Sequence, residues 1–152
     1  MTVQLSVAVR NAMLEAYEVA ANGQTLSAGT GTGGSITGTA AAPRCRIYTG
    51  SQPANCAAAR TGTKLVDILV PADWMAAAAS GVKQLSGLWQ VAAVAAGTAG
   101  YYSIESNDGS TCHEQGSVTA TGGGGDMTLD SVALSVGQTV TITSKTITAP
   151  NA

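Results

Sequence analysis

The pattern of apolar and polar positions near the start of the chain predicts a helix over residues 4–21. Asn11, Glu15 and Glu18 share one side of this helix, and the opposite side is apolar. A spacing of three to four residues between apolar positions is that of an amphipathic helix. Ser6 is the candidate N-cap. The apolar side is predicted to pack on a sheet or, alternatively, to dock on a neighbouring subunit, and it comprises Leu5, Val9, Ala12 or Met13, Ala16, and Val19 or Ala20.

The clearest strand pattern lies in residues 99–121 and predicts a β-hairpin. Two alternating runs flank a turn with the sequence Asn-Asp-Gly-Ser at 107–110. Asn, Asp and Gly accept the positive φ angles that tight turns require. The alternation places Tyr102, Ile104 and Cys112 on the side that is predicted to be buried.

Further strands are predicted where short apolar or alternating runs end at Gly or Pro. They cover residues 45–49, 64–70, 83–94, 127–136 and 139–148, with a bulge in the last near 144–145. Asp73 is predicted to cap a short helical turn over residues 74–79. The sequence thus predicts a single domain over 1–152 that is mainly β.

The predicted architecture is an antiparallel β-sandwich, jelly-roll-like, over residues 44–149 with one N-terminal α-helix. Before the sandwich, residues 24–43 are rich in Gly, Ser and Thr. They predict either an arm or a hairpin, because 25–27 and 35–37 are short strand-like segments around a glycine-rich centre.

The composition favours a protein that buries surface in an assembly. Charged residues are 11% of the chain, against about a quarter in typical domains. The net charge of −2 and the scattered basic residues argue against a nucleic-acid partner. No apolar run is long enough to predict a membrane span. Arg10 and Glu15 interrupt the first apolar run, so we do not predict a secretion signal.

The three cysteines are Cys45, Cys56 and Cys112. An odd number leaves at least one thiol free or paired with another chain. The sequence leaves open which two cysteines pair: Cys45 with Cys56, Cys56 with Cys112, or Cys45 with Cys112. It also leaves open that all three thiols are reduced.

No motif predicts catalytic, cofactor-binding or metal-binding residues. In Cys112-His113-Glu114 the neighbouring side chains of a strand point to opposite faces, which separates the thiol from the imidazole. The glycines at 29–34 match G-x-G-x-x-G, but no helix is predicted after them. Asp126 and Asp130 lack the dense oxygen spacing of a calcium loop. We therefore predict that the chain is not an enzyme.

Contacts with other subunits are predicted at two kinds of position. Trp74 and Trp89 are either core residues or interface residues, since large aromatic side chains serve both purposes. Leu26 and Ile36, in the Gly/Thr-rich segment, are candidates for contacts made by strand addition to another chain.

Several segments resemble small structural proteins of tailed bacteriophages and prophages, encoded among the virion genes. The resemblance covers most of the chain outside residues 23–43, which look like an insertion relative to the family. Cys45 also departs from the family's pattern. It is carried by LSVAVRNAMLEAYE, RIYTGSQPANCAAARTGTKL, DWMAAAASGVKQLSGLW, AAGTAGYYSIESNDGSTCHEQGSV and GGGGDMTLDSVALSVGQTVTITSKTITA.

The resemblance implies a component of the virion, made in the host cytoplasm. The first expectation is a capsid decoration or cement protein that binds across capsid subunits as a homo-oligomer, such as a trimer, with the major capsid protein or other virion proteins as partners. The alternative is a tail, baseplate or fibre-associated module. Two further hypotheses are a carbohydrate-binding β-sandwich and a small metal-dependent enzyme.

Overall fold

The structure is a computed structural model that describes residues 4–27, 35–37 and 39–150. Within this part of the chain the fold is mainly β, with one N-terminal helix. The elements are α1 (Val7–Ala21), β1 (Thr25–Ser27), β2 (Ser35–Thr37), β3 (Arg44–Thr49), β4 (Lys64–Leu69), β5 (Val82–Gln84), β6 (Gln90–Ala92), β7 (Gly97–Glu105), β8 (Cys112–Ala120), β9 (Met127–Leu129), β10 (Ala133–Leu134) and β11 (Thr139–Thr148).

Nine of these strands form one sheet, which curls into a half-barrel. Its main path runs β4-β3-β7-β8-β9-β11-β5, with β10 paired to β7 and β6 paired to β11. The β8–β9 pair is parallel and the other pairs are antiparallel. The expected two-sheet sandwich is not confirmed, since the described strands of this region join into a single mixed sheet. The separate β1–β2 hairpin matches the hairpin alternative for residues 24–43.

The helix ends at residue 21 as predicted but begins at Val7, after the candidate N-cap Ser6, and not at residue 4; its orientation also differs from the expected one. The Ser6 hydroxyl accepts a hydrogen bond from the Val9 amide, as expected of an N-cap. Leu14 is buried, whereas Val9 and Met13 are 47% and 43% exposed. The prediction that the Val9–Met13 side packs on the sheet was therefore wrong.

Polar side chains of α1 also face the rest of the protein, beside the buried Leu14 and Ala21, because they satisfy groups there. Asn11 Oδ1 accepts a hydrogen bond from the Gly81 amide at 2.7 Å, and Glu15 Oε1 accepts one from the Ala78 amide at 2.6 Å. Lys83 Nζ, on β5, lies 2.7 Å from a carboxylate oxygen of Glu15 and 2.7 Å from one of Glu18. These polar contacts fasten the helix to β5 and to the segment before it.

Strand β7 is buried on both faces, whereas the alternation predicted one buried face. Tyr102 and Ile104 belong to the hydrophobic core. On the other face, Tyr101 and Glu105 are 0% and 2% exposed. Residues 50–63, which we call the covering loop, lie over this second face. The Tyr101 hydroxyl donates to the Thr61 carbonyl at 2.7 Å and accepts from the Thr61 amide at 3.0 Å.

Other local predictions have mixed outcomes. The 99–121 hairpin is confirmed as β7–β8, and the bulge predicted in the last strand is confirmed between Ile142 and Ser144. The helical turn predicted over residues 74–79 is wrong, because Met75 and Ala79 make isolated β-bridges there. The strand predicted over 83–94 is two strands, β5 and β6, and that over 127–136 is also two, β9 and β10.

Replacing Lys83 by Met is expected to lower the free energy of unfolding by about 2 kcal/mol, because it removes charge-assisted hydrogen bonds that join α1 to β5. Lys64→Met is the matched control, since the Lys64 side chain is 40% exposed and its ion pair with Asp67 should contribute less than about 1 kcal/mol. Urea denaturation of both variants measures the two losses. Equal losses would contradict a special role for Lys83.

Candidate functional site

The charged side chains are used mainly inside the protein. Among the described residues, every Lys and Arg except Arg10 lies within 4 Å of a carboxylate. Arg10 is itself buried and donates to the Ser80 carbonyl. The surface consequently presents few free cations.

One group of ion pairs lies between the sheet and the covering loop. Arg46 contacts Asp67 at 3.1 Å and Glu105 at 2.6 Å, and Arg60 of the covering loop is 3.7 Å from Glu105. Burial raises the pKa of Asp67, but hydrogen bonds from Lys64 and Arg44 and the charge of Arg46 outweigh it, so the pKa is lowered overall. The carboxylate form of Asp67 therefore contributes to stability at neutral pH.

A second group is centred on the Glu114 carboxylate of β8. It accepts hydrogen bonds from the hydroxyls of Tyr17 and Tyr102, and from Lys145 Nζ at 2.8 and 2.9 Å. The Lys145 side chain is fully buried. Burial, and then the charge of Glu114, raise the pKa values of both tyrosines, so these hydroxyls remain protonated donors. This arrangement links α1, β7, β8 and β11 and has a structural role.

The three cysteines are divided between two faces of the sheet. Cys45 is fully buried on β3 and pairs in register with Ile104, on the core side. Burial raises the pKa of its thiol far above the ordinary value. Cys56, in the covering loop, and Cys112, at the start of β8, lie on the other side with their Sγ atoms 2.7 Å apart.

A β-bulge at His113 separates Cys112 from Glu114. In the β7–β8 register Ile104 pairs with Glu114 and Glu105 pairs with Cys112, so His113 is the extra residue. The bulge puts Cys112 on the face of Glu105, whereas the alternation placed it with Tyr102 on the core side. That prediction was wrong because a bulge reverses the alternation at a single position.

His113 is half-buried on β8. Its Nε2 atom is buried without a hydrogen-bond partner among the described residues, and burial lowers the pKa of the imidazole. The part of the chain that the structure describes holds no group of three His, Cys, Asp or Glu side chains placed to bind one metal ion. Its surroundings therefore favour the neutral form of the imidazole.

Asp126 and Asp130 have separate structural contacts. Asp126 Oδ2 accepts from the Ser117 amide and hydroxyl, at 2.9 and 2.7 Å. Asp130 Oδ1 accepts from the Ser131 and Thr141 amides. Each carboxylate thus satisfies backbone groups of its own neighbourhood.

Both tryptophans lie in the core, which favours that interpretation over an interface. Trp74 and Trp89 are 0% exposed. The Trp74 indole donates to Asn22 Oδ1 and the Trp89 indole to the Ser86 carbonyl, both at 3.0 Å. Neither side chain has accessible surface, and of the two interpretations left open by the sequence this favours the core. Leu26 and Ile36 pair in register across the β1–β2 hairpin, and their side chains lie outside what the structure describes.

The outward side of α1 is the candidate interaction site. We call it the helix stripe and define it as Val9, Ala12, Met13, Ala16 and Ala20. Val9, Ala12, Met13 and Ala20 are exposed and Ala16 is half-buried. Positions spaced by three and four share one face of a helix. Sequence periodicity identified this face as apolar and left two interpretations open, packing on the sheet or docking on a neighbouring subunit.

Searches against protein-family models, curated proteins and solved structures found no match for the chain. Within the described ranges, no helix combines the length and the apolar character needed to cross a bilayer.

Glu114→Gln is expected to lower the free energy of unfolding by about 3 kcal/mol, because it leaves the buried Lys145 cation without its counter-charge. The double variant Glu114→Gln/Lys145→Met should lose less than the sum of the two single variants, since it removes both charges. Chemical denaturation of the four proteins gives the coupling energy. Simple additivity would contradict the coupling.

Stability is expected to fall as the pH is lowered from about 7 to about 5, because the unfolded chain protonates its only histidine near its ordinary pKa of 6.5 while the folded chain resists protonation. At pH values between the lowered pKa of the folded histidine and the ordinary pKa of the unfolded one, the unfolded state binds more protons than the folded state, which destabilises the fold. His113→Gln should remove this part of the pH dependence. Thermal melts of both proteins across this range measure it, and parallel profiles would contradict the assignment.

Proposed function

We propose that the chain is a bacteriophage virion structural protein that acts as a capsid decoration or cement protein. It binds across capsid subunits through the helix stripe, as a trimer or another homo-oligomer, with the major capsid protein as its partner. The observation that carries the proposal is the orientation of α1, whose polar side is bonded to the protein while Val9 and Met13 face outward.

The distribution of charge supports this proposal. The basic side chains are engaged internally, so a partner that covers α1 does not need to neutralise many free charges. Apolar surface gains free energy when it leaves water, by about 25 cal/mol per Å². A stripe of Val, Met and Ala on a firmly attached helix suits a permanent structural contact better than a transient one.

The burial of the aromatic residues weighs against the carbohydrate-binding hypothesis. Such sites offer exposed aromatic rings to a sugar, and the chain has two Trp, four Tyr and no Phe. Both tryptophans are buried, as are three of the tyrosines: Tyr48, Tyr101 and Tyr102. The remaining one, Tyr17, is half-buried with its hydroxyl on Glu114.

The proposed contact is tested by placing charge on the helix stripe. Val9→Glu/Met13→Glu is expected to abolish co-sedimentation with heads of the encoding phage that lack this protein, because two carboxylates would be buried against apolar surface. Val136→Glu is the matched control, since Val136 is 69% exposed and lies far along the chain from α1. Wild type and control should co-sediment with the heads.

Two results would overturn this assignment. If the wild-type protein does not bind heads, the decoration function is wrong, and density for the chain in the tail of an intact particle would identify the tail-associated alternative. If the stripe variant binds as well as the control, the helix stripe is not the contact. Thermal melts confirm that the variants are folded, as expected for exposed positions.

A further inference from the structure

The pair formed by Cys56 and Cys112 is not used by the proposed contact. Its two Sγ atoms are 2.7 Å apart although the residues are 56 positions apart in the sequence. Both side chains are half-buried, and both line a cavity of about 250 Å³ with Arg46, Arg60 and Glu105. The cavity gives small molecules access to the sulfur atoms.

The segments that carry the two thiols are held together independently of the sulfur atoms. Gln115 of β8 donates through Nε2 to the Pro53 carbonyl at 2.6 Å and accepts through Oε1 from Arg60 at 2.9 Å. Arg60 also donates to the Cys56 carbonyl at 2.5 Å. These contacts attach the covering loop to β8 on both sides of Cys56. The two thiols are therefore held close together before a disulfide bond forms.

Residues next to Cys56 are ordered by a local turn. The Asn55 side-chain oxygen accepts from the amides of Ala57 and Ala58 at 2.9 and 3.0 Å, which is an Asx-type turn. On the other side, the bulge at His113 turns Cys112 toward the covering loop. Both features aim the sulfur atoms at each other.

We propose that Cys56 and Cys112 are a redox pair that forms an intrachain disulfide and fastens the covering loop to β8. The co-reactant is a low-molecular-weight disulfide such as oxidised glutathione. The first cysteine thiolate attacks one sulfur of that disulfide, which forms a mixed disulfide and releases one thiol. The second thiolate attacks the protein sulfur of the mixed disulfide and releases a second thiol. The cysteines lose two protons and two electrons, and the small disulfide is reduced to two thiols.

The order of attack follows from the environment of Cys112. In the pair the Cys112 thiol donates to Cys56 Sγ at 2.7 Å, and burial together with this contact raises the pKa of the Cys112 thiol, so Cys112 keeps its proton more readily. We therefore assign the first attack to Cys56 and the second to Cys112. Cys45 takes no part, because it is fully buried on the opposite face of the sheet.

A disulfide between distant positions stabilises a protein mainly by restricting the unfolded chain. Oxidation of the wild-type protein with oxidised glutathione is therefore expected to raise Tm by about 10 °C over the reduced form. Non-reducing peptide mapping should show a single cross-link, between Cys56 and Cys112, and one free thiol after unfolding. Cys45→Ala should retain the cross-link and the shift.

The single variants provide the remaining outcomes. Cys56→Ser and Cys112→Ser should show no oxidant-dependent rise in Tm, and Cys112→Ser should carry glutathione on Cys56 as a trapped mixed disulfide. Three free thiols in the oxidised wild type, or a cross-link that involves Cys45 or a second chain, would overturn the proposal. The test does not involve phage heads, so its result is independent of the proposed decoration function.

Discussion

The Glu114 carboxylate accepts hydrogen bonds from Tyr17, Tyr102 and Lys145, and most of the structure depends on this arrangement. Each donor lies on a different element, so the positions of α1, β7 and β11 relative to β8 are fixed together. Strand β9 lies between β8 and β11, so the Lys145 side chain reaches past β9 to its partner. A buried ammonium without a counter-charge is very unfavourable. The fold therefore depends on keeping the two charges together.

The helix illustrates what periodicity can and cannot predict. Spacing identified α1, its N-cap and its two dissimilar sides, because these are local properties of the sequence. It did not identify the inward side, since that depends on which groups the rest of the protein supplies. Here Lys83 and the amides of Ala78 and Gly81 require acceptors, and Asn11, Glu15 and Glu18 provide them. The side that carries Val9 and Met13 is left facing outward, and residues 4–21 alone could not decide between packing it on the sheet and docking it on a neighbouring subunit.

The sheet shows the same division between local and distant information. The β7–β8 hairpin and the slip in β11 were predicted, because turn residues and alternation lie within a few positions of each other. The single curled sheet was not, since it depends on the parallel β8–β9 pairing and on the short strands β6 and β10. The bulge at His113 has no sequence signature of its own, yet it reverses the face of Cys112 and brings it to Cys56. The proximity of these two thiols was thus one of three open alternatives until the register was known.

The internal use of charge connects the fold with the proposed function. The chain has few charged residues, and most of its cations lie in buried or half-buried ion pairs. Its surface therefore carries little charge that could repel other proteins. The ion pairs of Lys83 with Glu15 and Glu18 attach α1 to β5, and a surface that is held in place loses little conformational entropy on binding. Stability inside the protein and the weak charge of the proposed contact surface are therefore consequences of the same arrangement. Under the proposed function, the polar side of α1 is as important for assembly as the apolar helix stripe, because its contacts determine which side of the helix a partner can reach.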